Sequence, residues 1–206
     1  MTYRLDMSMM LAMHDALRRE LERVARVAAK TGDDPRRILR AAVGWELFKK
    51  FLRVHHTSED VALWPAMRDA VSADGLALLD AMEDEHAAID PLLDGVDAAL
   101  ADRESGAERL GGLVDALVTG LGGHLRHEES EGLALIDATL GEEQWSRFGQ
   151  THRERIGGRR PDLSALAARR QGPPRVVAAI LDGMPAALRE AYRDEWRPAY
   201  DRLNLY

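Results

Sequence analysis

His55-His56-Thr57-Ser58-Glu59-Asp60-Val61-Ala62-Leu63-Trp64-Pro65 is the stretch on which the fold of this 206-residue chain turns. In a helix, His55 and Glu59 project from one face on successive turns, because side chains four residues apart return to the same side. The same spacing recurs at His124 and Glu128. One histidine–glutamate pair is a coincidence of composition. Two, each beside apolar turns, form the pattern by which a helical bundle places transition-metal ligands in its interior.

The flanking sequence supplies the bundle. Between Leu5 and Ala29, the apolar residues Met7, Met10, Leu11, Leu17, Leu21 and Val24 recur at spacings that suit a core-facing helix, and His14 lies on that stripe. Thr31-Gly32-Asp33-Asp34-Pro35 then stops this helix and starts the next, with Asp34 as N-cap and Pro35 at the first helical position. The second helix runs past His55 and Glu59 to a kink or restart at Pro65. After a turn around Ser72–Gly75, a third stripe passes through Leu76, Leu79, Met82, His86, Ile89 and Leu93, and Pro91 is expected to bend it. A fourth follows through Leu113, Leu117, Leu121, His124, Glu128 and Leu135. Its glycine pairs, Gly111-Gly112 and Gly122-Gly123, either weaken it or allow close helix contact near the site. The expected fold is all-α: an antiparallel up-down four-helix bundle over residues 1–140, with a helical C-terminal extension, 141–206, packing on it. Within that extension, Leu188, Tyr192, Trp196, Pro198 and Tyr200 predict an aromatic helix laid back over the bundle.

Composition narrows the chemistry. Hydrophobic residues at 46% and charged residues at 31% suit an ordinary soluble domain, and aromatics at only 5% beside abundant Ala and Leu suit helices. The absence of cysteine removes disulfides, thiolate-bound zinc and iron–sulfur clusters, so any metal must be held by His, Asp and Glu. A net charge of −7 gives no reason to expect nucleic acid. The basic run Arg153, Arg155, Arg159, Arg160, Arg169 and Arg170 reads as solvated surface. Arg4, Asp6, His14 and Asp15 break any signal-peptide core, and no stretch is apolar for long enough to span a bilayer, so the expected location is cytoplasmic.

A lone inward histidine is more often a hydrogen-bonded core residue than a ligand. Burying an unpaired polar group costs about 1–3 kcal/mol, however, and His14, His55, His86 and His124 place one histidine on each of four stripes. Glu59 and Glu128 join them one turn away. A metal pair satisfies all six groups at once.

The order His, H-x-x-x-E, His, H-x-x-x-E on four successive helices resembles the hemerythrin-like (HHE cation-binding) family, over about residues 5 to 140. Glu59-Asp60 followed by Leu63-Trp64-Pro65, and Glu85-His86 followed by Ile89-Asp90, are similar to phrases common in that family. The resemblance implies two non-haem iron ions with an oxo or hydroxo bridge, Glu59 and Glu128 as carboxylate bridges and the four histidines as terminal ligands. Hemerythrins proper carry two histidines one turn apart on the third helix, whereas Met82 and Asp90 stand at those distances from His86. His56, Asp90 and Glu83 are the candidates for the missing donor. Glu129 occupies the five-residue spacing of hemerythrin proper on the fourth helix, while Glu128 fits the wider family. His127, rotated off the His124 face, and His152, beyond the bundle, are expected outside the ligand set.

The implied partners are small molecules: O2, H2O2 or NO. With one nitrogen short, the centre is expected to have an extra exchangeable position and to turn over peroxide in a catalase-like way. The alternatives are reversible O2 or NO binding, storage or sensing; a biosynthetic oxygenase; and a non-catalytic, metal-stabilised interaction module. A ferritin-like centre would need Glu-x-x-His twice, and the chain has it once, at Glu83 and His86. A three-histidine zinc bundle would leave Glu59 and Glu128 without a role.

Overall fold

The computed structural model describes residues 2–29, 35–156, 186–191, 193, 194 and 198, with side chains of the second stretch described from residue 44 onward. The described residues form helices and no strand. Helix α1 is Ser8–Ala28, α2 Pro35–Ser58, α3 Trp64–Arg68, α4 Ala73–Ala101, α5 Gly106–His127, α6 Leu133–Thr139, α7 Glu142–Ile156 and α8 Ala186–Ala191. Two π turns, Glu59–Leu63 and Glu128–Gly132, join α2 to α3 and α5 to α6 without a break in the helical path. α1 packs on α2 and α5, α4 lies along α5 and also meets α2, and α7 covers α2 and the first π turn.

The caps follow sequence chemistry. Asp6 Oδ1 accepts from the Ser8 backbone N–H at 2.9 Å, which delays α1 to Ser8 rather than the expected Leu5. Ser72 Oγ accepts from the Gly75 N–H at 3.3 Å and opens α4. Gly106 starts α5 where a Cβ would collide with the Ala99 carbonyl, so a glycine is what lets α4 and α5 turn so tightly. Three of the glycines expected to allow close helix contact do not provide it: a Cβ at Gly111, Gly112 or Gly123 would meet nothing within 4 Å. Pro91 does not interrupt α4, because both Pro91 and Ala87, whose carbonyl loses its donor, face solvent. Pro65 stands at the start of α3, directly after the first π turn, as a restart requires.

The apolar interior is divided in two. One cluster gathers Met13, Leu17 and Leu21 of α1, Phe48 and Leu52 of α2, Ile89 and Leu93 of α4, Leu117, Leu121 and Leu125 of α5, and Ile156 of α7. The other gathers Leu5, Met7, Met10, Leu63, Trp64, Met67, Leu79, Met82, Leu133, Ile136, Leu140 and Phe148. The N-terminal strap is tied down by the Leu5 N–H donating to Asp137 Oδ1 at 2.7 Å and by Trp145 Nε1 donating to the Asp6 carbonyl at 3.1 Å. Of the extension expected over 141–206, α7 packs on the bundle and feeds both clusters. The expected Asp34 cap, and Tyr192, Trp196 and Tyr200 of the aromatic helix, lie outside the described residues. Among the described residues no helix is long and apolar enough to cross a membrane.

Candidate metal centre

A polar layer separates the two apolar clusters. His14 lies between Met10 and Leu17 on α1, and His86 between Met82 and Ile89 on α4. His124 and Glu128 lie between Leu121 and Leu133, and His55, His56 and Glu59 between Leu52 and Leu63. All seven polar side chains are buried, from 0% exposure for His14, Glu59 and Glu128 to 6% for His56. Each glutamate opens a π turn, shown by the Trp64 N–H donating to the Glu59 carbonyl and the Leu133 N–H to that of Glu128, five residues on. The extra residue in each turn resets the phase of the following helix, so the glutamate faces the layer while Leu63 and Leu133 still face the core. Gly132 closes the second π turn, and a Cβ there would stand 3.0 Å from Glu128 Cγ.

The ligand atoms converge in two groups. His14, His55, Glu59 and Glu128 form one, His56, His86 and His124 the other, and within each group these atoms lie within 4.8 Å of one another. In the first, His14 Nε2 is 3.0 Å from His55 Nε2 and 3.1 Å from Glu128 Oε2, and His55 Nε2 is 3.4 Å from Glu59 Oε1. In the second, His86 Nε2 is 3.1 Å from His124 Nε2, and the His56 ring stacks on His86 at 3.9 Å with planes 7° apart. The carboxylates reach across: Glu59 Oε2 is 3.5 Å from His86 Nε2, and Glu128 Oε2 is 3.9 Å from His124 Nε2. Two nitrogens held ~2.1 Å from one ion at a right angle would be ~3 Å apart, which matches both short nitrogen pairs.

The far side of each ring fixes its tautomer. His86 Nδ1 donates to Asp60 at 2.8 Å, His124 Nδ1 to Glu85 at 2.9 Å and His14 Nδ1 to Glu129 at 2.9 Å, because an ionised carboxylate can only accept. With Nδ1 as the donor on each ring, the Nε2 atoms of His86 and His124 face each other at 3.1 Å, an arrangement that a cation or an added proton between them satisfies. Neither oxygen of Glu59 receives a hydrogen bond, Glu128 has only His14 Nε2 at 3.1 Å, and His56 Nε2 is buried without a partner. Buried electron-pair donors gathered in this way have the chemistry of a cation-binding site.

Electrostatics in the metal-free protein carry the same message. Burial, then the charge of Glu128, pushes Glu59 well above the usual carboxylate range. Burial pulls the His14 imidazole down, but Glu128 and Glu129 outweigh it and lift it to about 9, so a proton there takes the place of a cation. His55 and His56 are driven well below the ordinary histidine value by burial and then by neighbouring histidines, and therefore stay neutral, as ligands must be.

The structure brings His14, His55, Glu59, His86, His124 and Glu128 together, and His56 with them. It leaves the other candidates outside. Asp90 is exposed on α4, Met82 belongs to an apolar cluster, and Glu83 pairs with Arg68 at 2.6 Å. Glu129 turns to His14 Nδ1 and takes two 2.8 Å bonds from Arg18. Although burial raises its carboxyl, these partners hold it at about 2. His127 is outside both groups, donating to Glu85 at 2.8 Å. His152 is not beyond the bundle: α7 carries it to within 6.2 Å of the His55 ring, centroid to centroid. The supporting carboxylates Asp60 and Glu85 were legible only as sequence neighbours of Glu59 and His86.

The chain matches the family model for the hemerythrin HHE cation binding domain over residues 6–136. No curated protein and no solved structure matches it. The matched span holds both His-x-x-x-Glu pairs, both π turns and every side chain of the polar layer described above. On that match, and with a fold and a buried histidine–glutamate layer that agree with it, the chain belongs to the hemerythrin HHE cation-binding family.

Proposed function

We propose that this protein holds two non-haem iron ions, one between His14 and His55 and one among His56, His86 and His124, bridged by Glu59 and Glu128, and that it binds dioxygen there. The observation that carries this reading is the polar layer itself: imidazole Nε2 atoms facing each other at 3.1 Å beside two fully buried carboxylates, of which Glu59 receives no hydrogen bond. Mixed imidazole and bridging carboxylate donors suit iron better than the four-coordinate, closed sites typical of structural zinc. Bound there, a ferrous pair supplies the electrons that dioxygen or peroxide takes up.

The chain's own residues do the rest. Asp60, Glu85 and Glu129 hold three rings in the tautomer that points a lone pair inward. The apolar clusters on both sides keep bulk water from the layer, a setting that favours reversible binding over turnover. The expectation of catalase-like turnover rested on a nitrogen missing from the third helix. His56, stacked on His86, supplies a fifth nitrogen from α2 and removes that argument. Peroxide turnover remains the second reading, supported by the unequal division of nitrogens, two against three, which gives the first of the two proposed ions fewer imidazole ligands.

Anaerobic loading with ferrous iron, elemental analysis and absorption spectra on cycling between argon and air test the proposal. Two iron ions per chain and a spectrum that reverts on deoxygenation are expected. Oxygen release from added peroxide without a reversible spectrum favours the second reading. Zinc alone, or no iron pair, rejects both.

A further inference from the structure

α7 presents Phe148, His152 and Ile156 at successive spacings of four, hence on one face. Phe148 lies in one apolar cluster and Ile156 in the other. His152, midway between them, therefore stands at the level of the polar layer, as His14 does between Met10 and Leu17. Its ring meets the His55 ring edge-on at 6.2 Å and lies tilted against Phe148 at 6.4 Å. It is partly buried, and among the described residues it has no hydrogen-bond partner.

An inward stripe built for packing alone would carry an apolar residue here, as it does at 148 and 156. An imidazole in this position instead offers a hydrogen-bonding group, and neither of its nitrogens is sealed from solvent. It does not hold an ion directly, since His152 belongs to neither group of converging ligand atoms. It stands one step further out, against His55, on the side with two nitrogens. We infer that His152 binds, by a hydrogen bond, the small anion or oxygen species that enters on the His14–His55 side, and so sets which small molecules are held there. The contact comes from α7, outside the matched residues 6–136.

The inference rests on the proposed iron pair, and the test separates the two. The oxidised, iron-loaded protein is titrated with azide, a small anion that takes open ferric positions, and followed by absorption, for wild type, His152→Leu and His152→Gln. Iron content and melting temperature are measured for each. All three should keep the iron pair. His152→Leu should bind azide about tenfold more weakly, the size of one lost hydrogen bond, and His152→Gln, which can still donate, should recover most of the loss. Wild-type azide affinity in His152→Leu overturns the inference and leaves the iron pair standing. Equal weakness of the Gln and Leu variants, or loss of iron from either, overturns it as well, by giving His152 a packing or ligating role. A wild-type chain that takes up no iron pair overturns the metal-centre proposal and this inference together.

Discussion

Replacing Glu59 by methionine should make the metal-free protein more stable and the iron-loaded protein less so. Both Glu59 oxygens are buried at 0% exposure and receive no hydrogen bond, and burial together with Glu128 raises the carboxyl well above its ordinary range. Without a cation, this side chain is an unsatisfied polar group in a sealed layer, a burden of about 1–3 kcal/mol. Methionine has a similar length and flexibility and no oxygen to satisfy. Relief of that burden corresponds to a melting temperature higher by about 2–12 °C for a chain of this size, at ~2–4 °C per kcal/mol. Iron at about a thousand times its dissociation constant adds about 4 kcal/mol to the wild type and should add little to the variant, which lacks a bridge. The two proteins should therefore exchange rank on loading. Far-ultraviolet circular dichroism during heating, on chelator-stripped and anaerobically iron-loaded samples, reads both arms. A metal-free Glu59→Met protein that melts more than about 4 °C below wild type would refute the reasoning, because it would show that Glu59 is satisfied without metal.

Other outcomes follow from the same geometry. His56→Ala should lose the ion of the three-nitrogen group and keep the other, halving iron content while the fold is retained; unchanged iron content would show that His56 only packs against His86. The turn between α4 and α5 should be acid-sensitive. Asp102 is held below its ordinary value of 3.8, first by the Ser105 hydroxyl, then by the Ser105 and Glu104 backbone N–H groups and Arg109. Because the folded-state value is depressed, this contribution is fully present above the unfolded value and is lost as pH falls through the folded one. Asp102→Asn should lower the urea midpoint at neutral pH, with the gap from wild type closing below about 4. A gap that stays constant with pH would assign the effect to the backbone of the turn.

The helical class, the four stripes and the paired His-x-x-x-Glu spacings are all local properties of the chain. Periodicity and i, i+4 geometry act within a few turns, so the residues state them directly. That was enough to single out His14, His55, Glu59, His86, His124 and Glu128, which the fold gathers in one buried layer. Contacts between helices are a different matter. His56 sits one residue from His55, about 100° around α2, and only the packing of α2 against α4 stacks it on His86. The carboxylates that fix the tautomers come from 26, 39 and 115 residues away, as Asp60 to His86, Glu85 to His124 and Glu129 to His14. Neither π turn is marked by any residue type, since it arises where a buried glutamate and the leucine after it must both face inward. His152 follows the four bundle stripes in the sequence, and only the depth at which α7 docks, with Phe148 in one cluster and Ile156 in the other, brings it to the level of the centre. The sequence by itself determined which groups lie inward along each helix; the tertiary structure decided which of them meet, because helix rotation and docking depth are set by side-chain packing summed over the whole core and not by any one stretch.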